Sequence, residues 1–231
     1  MKHFFLVFLF LIGHGFCFLQ NSNEVLLKVL ETNRKENVKN YDLVYNLYRI
    51  ENLNTPVETY YGEVVQNDKS FYHKIENTEI IQNTDLVLSV DNDLKIVQMN
   101  TPVKKLVNHE LELIYKECDS VSSKVKNDRI ELILSFSPLS QLPFSKVVFS
   151  IHSTTYRIEN TVFYYSILQD FSTEMNVVDQ SYPVLSVTAK NFTQSIESKM
   201  HLLDQKKYIK KVNGKYVVSS ELSEYSLIDE R

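Results

Sequence analysis

Catalysis needs a nucleophile, base or metal-ligand set held together, and local spacing is where such sets often leave a trace. Beyond the first seventeen residues the histidines are His73, His109, His152 and His201. No two lie within four positions of each other, which excludes a zinc site built on a two-histidine helical turn. Each reads as a surface or strand-face side chain. The chain has only four glycines, two of them Gly13 and Gly15, so a glycine-rich phosphate loop and a dinucleotide fingerprint are both ruled out. No G-x-S-x-G elbow occurs either. Cys118 sits between Glu117 and Asp119, whose carboxylates disfavour the thiolate, so it reads as a structural thiol. Asp91-Asn92-Asp93 begins like a calcium loop, but Leu94-Lys95-Ile96 supplies neither the glycine nor the later glutamate, and a turn is expected. The expectation is a protein that is not an enzyme and carries no cofactor and no metal.

The positive signal is aromatic. Fourteen tyrosines and thirteen phenylalanines occur without a tryptophan, and many fall on alternating positions of strand-like segments. In residues 41–50 the period is two: Tyr41, Leu43, Tyr45 and Leu47 share one face, with Asp42 and Asn46 on the other. Phe71, Phe149, Phe163 and Tyr165 stand in similar segments. A curved sheet lined this way can enclose a greasy pocket for one acyl-type ligand, and plain core filling is the competing reading.

The elements that must position these side chains follow from pattern. Residues 21–37 read as a helix, with Val25, Leu26, Val29 and Leu30 at helical spacing. Strands are expected at 41–50, 57–66, 70–76, 78–90 and 94–100, with Gly62 as a kink or bulge. Thr101-Pro102 opens an amphipathic helix to about Cys118, built on Val103, Leu106, Val107, Leu111, Ile114 and Tyr115. A strand over 109–115 is the alternative there. Residues 119–128 are polar and read as a loop. Strands resume at 129–136, 146–152, 155–159, 162–170 and 184–192, where β-branched and aromatic residues concentrate. The charged end of the chain carries a turn at Gly214 and a short strand near 216–218. The fold class expected is mainly β (α+β): a curved antiparallel sheet forming an incomplete β-barrel, with an N-terminal helix and a mid-chain helix packed on or in it.

The start of the chain gives an address. Met1-Lys2-His3 is a short basic segment, residues 4–12 are unbroken apolar, and Gly13, Gly15 and Cys17 supply small residues for cleavage. The run is too short to span about 30 Å of hydrocarbon. Residues 1–17 therefore read as a signal peptide and 21–231 as a single β domain, with no transmembrane span after cleavage. Loss of Cys17 with the signal leaves Cys118 alone, so no internal disulfide is possible, and a periplasmic or envelope location fits best. Lipidation at Cys17 is the alternative, which the bulky Phe16 disfavours. A formal net charge of -4 without a basic patch argues against nucleic acid and against a polybasic membrane-surface protein.

Helix, antiparallel meander, helix and a second run of strands on an exported chain resembles the periplasmic lipoprotein-carrier (LolA/LolB-like) family. The matching stretch is residues 58–99. There Thr59-Tyr60-Tyr61-Gly62-Glu63-Val64 resembles the glycine-containing second strand, and Leu86-Val87-Leu88-Ser89-Val90-Asp91-Asn92-Asp93-Leu94-Lys95-Ile96-Val97 resembles the hairpin with its acidic turn. The resemblance implies an incomplete barrel covered by helices and sheltering acyl chains. The family's hairpin tryptophan is missing, and Arg49 stands as candidate for its basic residue in the early strands.

The functional expectation is an exported binding protein holding an apolar ligand, lipid or lipidated protein. Its candidate contacts are Tyr41, Leu43, Tyr45, Leu47, Arg49, Phe71, Phe149, Phe163 and Tyr165. Two alternatives are a structural or assembly factor that binds another envelope protein through its sheet surface, and a hydrolase with scattered carboxylates.

Overall fold

The computed structural model describes residues 22–102, 109–174 and 177–231. The expected signal peptide with Cys17, and Val103, Leu106 and Val107 of the expected mid-chain helix, lie outside these residues.

Helix α1, Ser22–Lys35, forms where Val25, Leu26, Val29 and Leu30 make one buried stripe. Glu24 in its first turn and Arg34 and Lys35 in its last complement the helix dipole. Strands β1 (Lys39–Arg49), β2 (Glu58–Gln66), β3 (Phe71–Ile75), β4 (Thr78–Gln82), β5 (Val87–Asp91) and β6 (Ile96–Asn100) form a meander. Helix α2 (His109–Glu117) follows, then β7 (Ser120–Lys126), β8 (Arg129–Ser135), β9 (Phe144–His152) and β10 (Ile158–Tyr165). A small hairpin, β11 (Gln169–Asp170) and β12 (Gln180–Ser181), leads into β13 (Pro183–Thr193). Two 3-10 helices, a hairpin of β14 (Ile209–Val212) and β15 (Lys215–Val218), and β16 (Ser226–Asp229) end the chain.

Twelve strands make one curved sheet in the order β16-β6-β5-β4-β3-β2-β1-β13-β10-β9-β8-β7, not closed into a barrel. Every pairing is antiparallel except β16 with β6. The β1–β13 ladder joins the two meanders, setting Tyr45 opposite Val187 and Leu47 opposite Leu185.

Residues opposite each other across a ladder point to the same side. Following the rungs from Tyr45 through Val187, Thr161 and Phe149 to Leu132 therefore traces one face, the front. Helix α1 packs on this face, over Ile130, Leu132 and Leu134 of β8 and Val147, Phe149 and Ile151 of β9. The second core lies on the back. Val65, Tyr72, Ile81, Leu88, Val97 and Met99 are sealed there by Ile196, Leu203, Tyr208 and Ile209 of the C-terminal segment.

A buried carboxylate fastens that segment. Glu79 accepts hydrogen bonds from the hydroxyls of Tyr208 (2.5 Å) and Tyr72 (3.1 Å) and from the Asn92 amide (3.1 Å). Burial alone would raise its pKa. The hydrogen bonds and the nearby Lys207 ammonium outweigh burial, and Glu79 is held below the ordinary carboxylate value. The same contacts push the Tyr208 hydroxyl up, burial being the largest cause.

Several expectations are corrected. The segment 78–90 is two strands, because the Asn83 side chain accepts from the backbone N–H groups of Asp85 and Leu86 and closes a turn. Within the expected loop of residues 119–128, Ser120–Lys126 form edge strand β7, whose Ser- and Lys-rich sequence suits a sheet margin. Residues 109–115 are helical, so the strand alternative fails. The strands expected at 155–159 and 162–170 are a single strand, β10, followed by the short β11. Gly214 does mark a turn: with Asn213 it has positive φ between β14 and β15.

Candidate functional site: an apolar strip on the front face

The nine side chains singled out by pattern all fall on the front face. Tyr41, Leu43, Tyr45, Leu47 and Arg49 have the parity of Tyr45 in β1. Phe71 is reached through Gln66 of β2, Phe163 through Leu185 of β13, and Phe149 through Thr161 of β10. Tyr165 follows a register shift, but the Phe144 ring lies 5.1 Å from both Phe163 and Tyr165 and sets them on one side.

They do not share one environment. Phe149 is buried beneath α1, 3% exposed, and belongs to the core there. Leu43 is 9% exposed. Tyr41, Tyr45, Leu47, Phe71, Phe163 and Tyr165 are half-buried, as are Leu185, Val187 and Ala189 of β13, which complete the strip. Toward β4, β5 and β6 the front face becomes mixed, with Gln82, Ser89, Gln98 and Asn100 beside Ile80, Val87 and Ile96. The strip is therefore bordered by α1 on one side and by strands of mixed polarity on the other.

Two aromatic groups stand on it. Phe71, His73 and Tyr45 follow one another at ring separations of 6.0 and 6.4 Å. The Tyr45 hydroxyl and His73 Nε2 are 2.8 Å apart. Burial raises the Tyr45 pKa and lowers that of His73, so both are held neutral. Near the start of β1, Tyr41 stacks on Phe192 at 6.1 Å, and the Arg157 guanidinium lies 4.0 Å above the Phe192 ring.

Gly62 makes room for this arrangement. It is not the expected bulge, since its pairing with Leu43 and Ile75 is regular. A Cβ there would meet the Lys74 carbonyl at 2.6 Å and the Tyr45 ring at 3.0 Å. The glycine thus lets the Tyr45 ring lie across β2 toward His73.

Arg49 stands at one end of the strip and is already engaged. It donates to both carboxylate oxygens of Asp179 and lies 5.1 Å from the Phe171 ring. A depression of about 360 Å³ lined by Arg49, Glu51, Asn52, Thr55, Pro56 and Val57 lies at this end. The sequence reading missed His73 as Tyr45's partner and missed Leu185 and Val187. Strand parity could have flagged Leu185 and Val187, but their placement beside β1 depends on a pairing between distant segments.

Among the described residues no three His, Cys, Asp or Glu side chains gather into a metal-holding group. No described helix is long and apolar enough to cross a membrane.

No protein-family model and no curated protein matches the chain. Solved structures are similar to it at low identity. A LolA superfamily protein from Nitrosomonas europaea is 10% identical, covering 74% of this chain and 92% of its own, with a TM-score of 0.34. An uncharacterized conserved protein from Thermus thermophilus is 11% identical over 91% of this chain and 100% of its own, with a TM-score of 0.49. Lipoprotein LppX from Mycobacterium tuberculosis is 4% identical over 76% and 98%, with a TM-score of 0.39. At overlaps of this size, the sheet's own topology remains the basis for the fold.

Proposed function

We propose that the chain is an exported, non-enzymatic binding protein that holds an apolar ligand, such as a lipid or the acyl chains of a lipoprotein, in the cell envelope. The observation that carries this reading is the strip of Leu47, Phe163, Leu185 and Val187, which stays half-buried on the front while Val65, Tyr72, Ile81, Leu88, Val97 and Met99 are sealed on the back of the same sheet. Apolar surface kept in water is costly, at about 25 cal/mol per Å², and a ligand that covers it recovers that free energy. The strip offers aliphatic and aromatic contact with one neutral polar pair, Tyr45 and His73, which suits a chain-like ligand better than a charged one.

On this reading residues 1–17 are removed as a signal peptide, residues 21–231 act as one domain, and the site of action is the periplasm. Tyr41, Leu43, Tyr45, Leu47, Phe71, Phe163 and Tyr165 contact the ligand. Phe149 supports the floor under α1, and Arg49 borders the strip. Native mass spectrometry of protein purified from its own envelope without detergent exchange is expected to show added mass that releases acyl chains on hydrolysis. A bare polypeptide mass in every preparation would overturn the reading.

A further inference from the structure

The two ends of the sheet are chemically unlike. Three connections emerge at the end where β1, β8 and β10 finish: residues 50–57, residues 136–143 and, of the third, the described residues 166–174 and 177–182. They join six consecutive strands of the sheet, β2-β1-β13-β10-β9-β8. They are also tied to one another. Ile50 N–H donates to the Tyr182 carbonyl at 3.0 Å, Ser166 N–H to the Pro143 carbonyl at 2.9 Å, and the Ser181 hydroxyl to Glu51 at 2.6 Å.

This end exposes large aliphatic side chains from all three connections. Leu139 is 92% exposed, Val178 73% and Ile167 64%, with Ile50, Leu53 and Val57 beside them. At the opposite end the corresponding turns of the same strands, residues 67–70, 127–128 and 153–157, are polar apart from the half-buried Tyr156. Apolar tips gathered at one end of a sheet mark a contact surface.

The charge of the rim selects its partner. The three connections contain Glu51, Asp170, Glu174 and Asp179 and no lysine or arginine. Arg49 pairs with Asp179 and its charge also reaches Glu51, so the rim sets four carboxylates against one guanidinium. Glu51 and Asp170 are held ionised by hydrogen bonds, to Ser181 and to the backbone N–H groups of Ser172 and Asp179. An anionic bilayer surface would repel such a rim.

We propose that this rim docks a protein partner that presents an apolar patch bordered by lysine or arginine. The inference does not depend on what the front-face strip binds, because the two surfaces use different side chains. Opposite charge steers the encounter, and the aliphatic tips fill the centre of the contact.

The chain lacks tryptophan, so a probe carrying one reports binding without background. The test titrates the full chain into a tryptophan-labelled amphipathic leucine–lysine peptide, its leucine–glutamate counterpart, and phosphatidylcholine and phosphatidylglycerol vesicles. The lysine peptide is expected to bind, more weakly as salt rises, with little binding of the glutamate peptide or of either vesicle. The double variants Leu139→Ser/Val178→Ser and Glu51→Gln/Glu174→Gln are each expected to weaken it at least tenfold with circular dichroism unchanged. Equal binding by either double variant, equal binding of the two peptides, or preference for vesicles would overturn the proposal.

Discussion

Ile81, Leu88, Val97 and Met99 on the back of the sheet are withdrawn almost fully from water, whereas Leu47, Phe163, Leu185 and Val187 on the front, of similar size and chemistry, are only half-buried. The back is covered by a C-terminal segment that adds Ile196, Leu203, Tyr208 and Ile209 to the core and is fastened through Glu79, Tyr72 and Tyr208. On the front, α1 covers β8 and β9 and leaves β1, β13 and β10 part-covered among the described residues. The difference teaches that this chain can close an apolar sheet surface when it directs a segment there. Among the described residues, the partial cover of the front strip therefore sets it apart from the closed back.

The sharpest way to break this contrast is to truncate one side chain on each surface. Leu88→Ala, at a fully buried position, is expected to cost about 2–5 kcal/mol in chemical denaturation. Leu185→Ala on the strip should cost about 1 kcal/mol or less. Equal losses would make the strip ordinary core.

The clasp comes next. Glu79→Ala leaves the Tyr72 and Tyr208 hydroxyls without their acceptor, and is expected to cost about 1–3 kcal/mol. Hydrogen exchange should then quicken in residues 205–225 while α1 keeps its protection. Because the folded pKa of Glu79 is lowered, its contribution is present above the ordinary value of 4.5 and is lost as pH falls through the folded value. Glu79→Gln should flatten that acid limb of the stability curve.

Gly62→Ala is expected to cost about 1–3 kcal/mol by overpacking, since the new methyl group meets the Lys74 carbonyl and the Tyr45 ring. NMR of the His73 ring should report loss of its bond to Tyr45. The smallest effect belongs to His73 itself. Burial lowers its pKa, so its contribution is whole above the unfolded value near 6.5 and declines as pH falls below it. Replacing His73 with Gln should remove this shallow slope, which lies at higher pH than the Glu79 limb.

Much of this contrast was legible in the sequence, and its gaps have physical causes. Alternation in β1 put Tyr41, Leu43, Tyr45 and Leu47 on one face because strand parity is a local property. The α1 stripe was readable for the same reason. The neighbours of β1 were not, because the ladder from Leu47 to Leu185 joins segments far apart in the chain. Strand β7 escaped because an edge strand need not alternate, and Val121-Ser122-Ser123-Lys124 has only one apolar residue. The C-terminal cover escaped because Tyr208, 1% exposed, follows Lys206 and Lys207 in a segment that reads as solvated.

The central claim is that the front strip, and not the sealed back, receives an apolar chain. Its most direct test is the affinity of a fluorescent fatty acid, cis-parinaric acid, for the wild type, Leu185→Asp and Leu88→Ala. Leu185→Asp is predicted to weaken binding at least tenfold with little loss of stability, and Leu88→Ala to lower stability while binding stays within twofold. Unchanged binding in Leu185→Asp, with loss confined to Leu88→Ala, would contradict the account.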